Sequence, residues 1–133
     1  MSIDPEAAAE WLQAYVAAWK TYDPAEISAL FSAGVEYRYH PYDEPIVGRD
    51  DVIASWLGES NGSDASERDA PGTYEASYVP IAVDGDRVVA TGISTYLEHP
   101  GGPVAKVFHN CFVIEFDEDG RCREFTEWFM QQP

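Results

Sequence analysis

Residues 104–130 read V-A-K-V-F-H-N-C-F-V-I-E-F, then D-E-D-G, then R-C-R-E-F-T-E-W-F-M. Two β-rich runs flank an acidic turn that ends in Gly120, the pattern of an antiparallel hairpin. With Phe116 set against Arg121 across that turn, alternation assigns each face of the ribbon its residues. Phe108, Asn110, Phe112, Ile114, Phe125, Glu127 and Phe129 share one face, and Val107, His109, Cys111, Val113, Thr126, Trp128 and Met130 share the other. In that register Asn110 stands opposite Glu127 among phenylalanines, a polar pair that belongs in a pocket. Both faces are largely apolar and both need cover. Helices can cover one face and a second copy of the chain the other. The second arrangement is a homodimer through Val113, Trp128 and Met130.

The upstream chain supplies the helices. Asp4-Pro5 is a helix start, with Asp as N-cap, Pro at the first helical position and Glu6 in the first turn. Ala8, Trp11, Leu12, Tyr15 and Trp19 then recur at three- and four-residue steps, which makes one apolar stripe. Asp23-Pro24 repeats the start signal for a short second helix that buries Ile27, Leu30 and Phe31, with Ser32-Ala33-Gly34 ending it. A strand over 35–40 alternates Glu36 and Arg38 outward with Tyr37 and Tyr39 inward. Residues 46–50 lead into a third helix carrying Val52, Ile53, Trp56 and Leu57.

Residues 58–73 form a polar loop rich in Ser, Asp and Gly, which reads as a disordered segment with a lid as the alternative. Strands over 74–83 and 87–98 meet at Asp84-Gly85-Asp86, and His99-Pro-Gly-Gly-Pro103 turns into the hairpin. The order is helix, helix, strand, helix, then four antiparallel strands. Helices on one face of a curled sheet make an α+β cone.

Composition narrows the function. A chain of 133 residues is one domain, 1–133, with enough length for a real core. Its 24 acidic against 8 basic residues give a net charge of −16, which repels nucleic acid and anionic membrane surfaces alike. No apolar run approaches the length of a membrane span, and M-S-I-D-P-E has no signal-peptide character. Cys111 and Cys122 fall opposite Thr126 and Glu115 in the hairpin register, a placement for free thiols in a reducing cytoplasm.

The element order, together with L-Q-A-Y-V-A-A-W at 12–19, A-L-F at 29–31, P-I-V-G-R at 45–49 and G-R-C-R-E-F-T-E-W at 120–128, resembles the nuclear transport factor 2-like superfamily. Within it the chain is similar to the SnoaL-like polyketide cyclase and ketosteroid isomerase branch. The resemblance implies a cystatin-like α+β roll, in which a curled mixed or antiparallel sheet and three N-terminal helices form a cone. It also implies activities as varied as isomerase, cyclase, dehydratase, hydrolase and non-catalytic binding. Tyr15 matches the tyrosine with which steroid isomerases of this family hold a developing enolate oxygen. The family's two aspartates have no counterpart: Tyr39, or His40 with one gap, takes the base position, and Phe112 the position of the protonated aspartate.

The residues themselves offer three groups for proton chemistry. His40 titrates near neutrality and lies close to Asp43 and Glu44, either of which could orient it. Alternation points Glu127 inward between Phe125 and Phe129, where desolvation raises a carboxyl pKa. Tyr15 is a hydroxyl donor. Asn110, Tyr39, Tyr37, Trp19, Trp56, Phe112, Phe125 and Phe129 are candidates to line the cavity, with Tyr78 and Tyr96 beside them. Many rings with few polar groups suit a flat, apolar small molecule. His40, His99 and His109 come from separate elements without ligand spacing, so no metal site is expected, and no cofactor motif is present. The expected activity is cofactor-independent proton transfer next to a carbonyl on a small apolar or polycyclic compound. The alternative is a dimeric binding domain without turnover.

Overall fold

A computed structural model describes residues 2–59 and 68–133. The first helix, α1 (Pro5–Thr21), starts where Asp4 caps it by accepting the Ala7 N–H at 2.7 Å. It stops at Tyr22, whose φ of 51° reverses the chain into α2 (Pro24–Leu30), capped in turn by Asp23. Ala8, Trp11, Leu12, Tyr15 and Ala18 form the buried stripe of α1. A short third helix, α3 (Arg49–Trp56), follows later in the chain and contributes Val52 and Trp56 to the core.

Phe31 belongs to a strand and not to the second helix. Its backbone is extended (φ −120°, ψ 145°), and it opens β1 (Phe31–Arg38) fully buried against Trp11 and Tyr37. Ser32-Ala33-Gly34, read from sequence as the helix stop, instead falls in a register irregularity of β1 between Phe31 and Glu36. A two-residue strand, β2 (Ile46–Val47), then pairs back on Tyr37 and Glu36. The remaining strands are β3 (Tyr74–Asp84), β4 (Arg87–Leu97), β5 (Val104–Phe116) and β6 (Cys122–Gln131). Together the six make an open mixed sheet in the order β2-β1-β6-β5-β4-β3, in which β1 runs parallel to β6 and all other pairs are antiparallel. The fold is therefore α+β, with three helices on a six-stranded sheet among the described residues.

The β5–β6 register differs by two residues from the sequence expectation. Asn110 pairs with Phe129 and Phe112 with Glu127, because the turn closes Asp117 on Arg121 and a bulge at Arg123 absorbs one more residue. A shift of two preserves facing, so the inner and outer lists from Asn110 to Met130 stand. Near the turn the bulge reverses Cys122: it faces Phe116 and is fully buried, while Cys111 pairs with Trp128. Both thiols are free.

Helices and inner sheet face meet in an aromatic core. Phe125 lies at its centre, stacked on Tyr37 (4.6 Å, 4°) and on Tyr15 (5.6 Å, 16°), with Phe112 4.9 Å away. The outer face leaves Ile93, Trp128 and Met130 exposed. No helix among the described residues is long and apolar enough to cross a membrane. Residues 60–67, the middle of the polar loop, lie outside the described residues. At its ends, Arg68 donates to the Leu57 carbonyl and Asp69 is tied to α1.

Candidate active site

A cavity of about 290 Å³ opens between the inner sheet face and the helices. Tyr15 and Trp19 reach it from α1, Tyr37 and Tyr39 from the end of β1, and Trp56 from α3. Tyr78, Ser94 and Tyr96 come from β3 and β4, and Asn110, Glu127 and Phe129 from the closing hairpin. Of the cavity and proton-transfer candidates named from the sequence, ten therefore line one space: Tyr15, Trp19, Tyr37, Tyr39, Trp56, Tyr78, Tyr96, Asn110, Glu127 and Phe129.

Phe112, Phe125 and His40 are not among the lining residues. The two phenylalanines are buried beneath the tyrosines and support them from behind. His40 is held outside the cavity, where its Nδ1 meets Asp43 Oδ2 at 2.8 Å and its ring stacks on Tyr42. Its other neighbour is Phe129, with ring centroids 5.3 Å apart. His109 lies on the outer face against Gln132. Among the described residues no three His, Cys, Asp or Glu side chains converge as metal ligands would.

One rung of the sheet organises the polar centre of the cavity. Tyr78, Gly92, Asn110 and Phe129 are successive partners across β3, β4, β5 and β6. Gly92 has no room for a side chain: a Cβ there would sit 2.4 Å from the Tyr78 ring and 2.0 Å from the Ser77 carbonyl oxygen. The missing side chain lets the Tyr78 ring lie over the strand, within hydrogen-bond reach of Ser94 Oγ. Ser94 donates to Asn110 Oδ1 at 2.8 Å, and Asn110 Nδ2 donates to Glu127 Oε2 at 2.8 Å. Since the single Ser94 proton goes to Asn110, Tyr78 is the donor to Ser94. The chain of bonds runs one way, from Tyr78 through Ser94 and Asn110 to Glu127, and it fixes the amide so that its N–H faces the carboxylate.

Burial pushes the Glu127 carboxyl up to about 7; the Asn110 N–H and the His40 charge oppose this without cancelling it. Burial also holds the Tyr15 and Tyr37 hydroxyls well above the ordinary phenol range, with smaller contributions from neighbouring tyrosines and from Glu127. Those hydroxyls, 3.4 Å apart, remain protonated donors. The Trp56 indole N–H is buried beside the Tyr37 hydroxyl and lowers its pKa slightly against the effect of burial. The site thus combines a carboxyl poised near neutrality with phenol donors in a cavity walled by aromatic rings. That combination can move a proton and stabilise an oxygen that gains charge.

Ser94 was not singled out from the sequence, because a serine in a β-strand carries no signal of which strand its diagonal neighbour comes from. Its one visible cue is its place two residues after Gly92, on the inward parity of β4. Tyr22, Asp69 and Lys106 also line the cavity and were not singled out from the sequence.

A family model described as SnoaL-like domain matches residues 12–125. No curated protein matches. Among solved structures, a protein assigned as a ketosteroid isomerase from Kribbella flavida DSM 17836 superposes with a TM-score of 0.66 at 16% identity, covering 98% of this chain and 82% of its own. An LEH-like epoxide hydrolase from M. tuberculosis gives 0.62 at 15% identity, covering 95% and 84%. A nuclear transport factor 2-like protein from Burkholderia xenovorans LB400 gives 0.61 at 16%, covering 96% and 92%. At these identities the structures show a shared fold.

Proposed function

The chain belongs to the SnoaL-like domain family, and from that premise we propose that it binds a small, largely apolar carbonyl compound and moves a proton next to the carbonyl through Glu127. Isomerisation, cyclisation and dehydration all share that step and need no cofactor. The observation that supports it is Glu127 itself, on the wall of an aromatic cavity, held by Asn110 and raised to about 7 by burial. In its ionised form Glu127 takes the proton from the carbon beside the carbonyl. The electron pair moves onto the carbonyl oxygen, which accepts a hydrogen bond from Tyr15 or Tyr37. The protonated carboxyl then returns its proton to the substrate, at the same carbon or at another along the conjugated system. His40 modulates Glu127 through its charge and does not touch the substrate.

A second reading, ligand binding without turnover, is favoured by one observation. The sequence resemblance puts Phe112 where the isomerases carry a protonated aspartate, and Phe112 is buried in the aromatic core with only 1% exposure. Deuterium exchange separates the two readings. With 2-tetralone in D2O, wild-type protein should accelerate loss of the α-proton signals by NMR, and Glu127→Gln should not. Tight binding with no acceleration in the wild type favours the binding domain.

The outer sheet face supports a homodimer. Trp128 is 43% and Met130 76% exposed there, beside Ile93 and Val113, an apolar surface that a second copy would cover. The two free thiols fit a reducing cytoplasm.

A further inference from the structure

Lys106 is the one cationic side chain among the described residues that lines the cavity. It sits at the start of β5, on the rim, with its ammonium 5.0 Å above the Tyr96 ring and 5.4 Å above Phe108. Both rings line the cavity as well, so the charge is held over the opening by the walls it serves. No carboxylate among the described residues lies within ion-pair distance of it. Most other cations behave differently: Lys20, Arg38, Arg68, Arg87 and Arg123 each meet a carboxylate. Asp69 shares the rim, but its carboxylate accepts hydrogen bonds from the Trp19 indole and the Tyr22 hydroxyl.

In a chain of net charge −16, an anion approaching the surface is repelled almost everywhere. The Lys106 ammonium over the cavity opening opposes that locally, beside the Asp69 carboxylate on the same rim. Four residues further along β5, Asn110 marks the inner polar pole, roughly 13 Å away at the rise of a strand. Between the two poles the walls are aromatic.

We propose that the ligand is an elongated aromatic or polycyclic acid, whose carboxylate meets Lys106 at the rim while an oxygen at its far end reaches the Asn110–Glu127 pair. This rests on the reading of the cavity as the binding site and adds to it the class and orientation of the molecule. It follows that an ester or amide of the same scaffold is a poorer ligand than the free acid.

The test uses 4′-hydroxybiphenyl-4-carboxylate and its methyl ester, titrated into the full chain at about pH 6, where the acid is ionised and the phenol is not. Calorimetry gives the affinity, and tryptophan fluorescence reports Trp19 and Trp56 in the cavity wall. Wild type should bind the acid about fivefold tighter than the ester, as for a partly exposed ion pair. That preference should shrink in about 0.5 M salt. Lys106→Met should erase it by weakening the acid alone, and Lys106→Glu should reverse it. Equal affinities in the wild type, or a preference that survives in Lys106→Met, overturn the proposal while leaving the cavity as a binding site. If neither compound binds the wild type, the cavity reading falls with it.

Discussion

Asn110 and Glu127 are joined by a 2.8 Å hydrogen bond along a diagonal of the β5–β6 pair, the Asn110 side chain donating to Glu127 Oε2. The bond works against the burial of the carboxyl: it lowers a pKa that desolvation has raised. Replacing Asn110 by Leu removes the donor and leaves Ser94 without its acceptor. The Glu127 midpoint should then move above 7, and an activity that needs the carboxylate should shift its pH profile upward with it. An unchanged midpoint in Asn110→Leu would mean that the amide is not coupled to the acid in solution.

The same burial ties stability to pH. Glu127 holds its proton more tightly in the folded chain than in the unfolded one, so folding takes up a proton between the ordinary carboxyl range and about 7. Its contribution is full at low pH and is lost as pH rises through 7. Glu127→Gln does not titrate. The variant should match wild type within about 1 kcal/mol near pH 5 and exceed it near pH 8 by up to about 3 kcal/mol. Other carboxyls are common to both proteins and cancel in the difference. Denaturant melts at the two pH values check this, and a difference that does not grow with pH contradicts it.

Gly92 is required by the ring it faces. A methyl group there would meet Tyr78 at 2.4 Å and the Ser77 carbonyl oxygen at 2.0 Å, so Gly92→Ala must displace β3 or the tyrosine. The expected cost is about 1–3 kcal/mol, the range for overpacking. Affinity for the 4′-hydroxybiphenyl-4-carboxylate probe should fall as well, because Tyr78 heads the hydrogen-bond chain to Glu127. A fully stable variant with normal binding would show that the chain is dispensable.

Trp128→Glu tests the outer face. It places a charge beside Met130 and Cys111 on a surface where Trp128 is 43% exposed in the single chain. Light scattering should find a dimer for wild type and a monomer for the variant. A monomeric wild type removes the dimer from the account.

Much of the architecture was legible because side-chain parity is robust. The hairpin register was misplaced by two residues, yet Phe125, Glu127 and Phe129 kept their side, since only an odd slip reverses a strand. The single bulge at Arg123 is such an odd step, and it alone reversed Cys122. Bulges follow from closing a turn in three dimensions and leave no local mark in the sequence. Phe31 was misassigned for a related reason: its period fits the helix, but its burial between Trp11 and Tyr37 decides for the strand.

The cavity was less legible than the fold. Inward parity carried Asn110, Glu127 and Phe129 to its wall and carried Phe112 and Phe125 only to the layer behind it, because parity gives a face and not a depth. His40 was judged by residue type; it meets Asp43 at 2.8 Å and is not among the residues lining the cavity. Lys106 stood within the hairpin from which the fold was read, but its place over the cavity depends on the Tyr96 and Phe108 rings, and the pairing with Tyr96 is not local in sequence.

Glu127 is, on this account, a partly buried, proton-exchanging acid of the cavity. Carbon-detected NMR of its side-chain carboxyl across a pH series measures this directly, with Glu127→Gln to assign the signal. The account predicts a midpoint near 7. A midpoint in the ordinary range, about 4.3, would show a solvated carboxylate and contradict it.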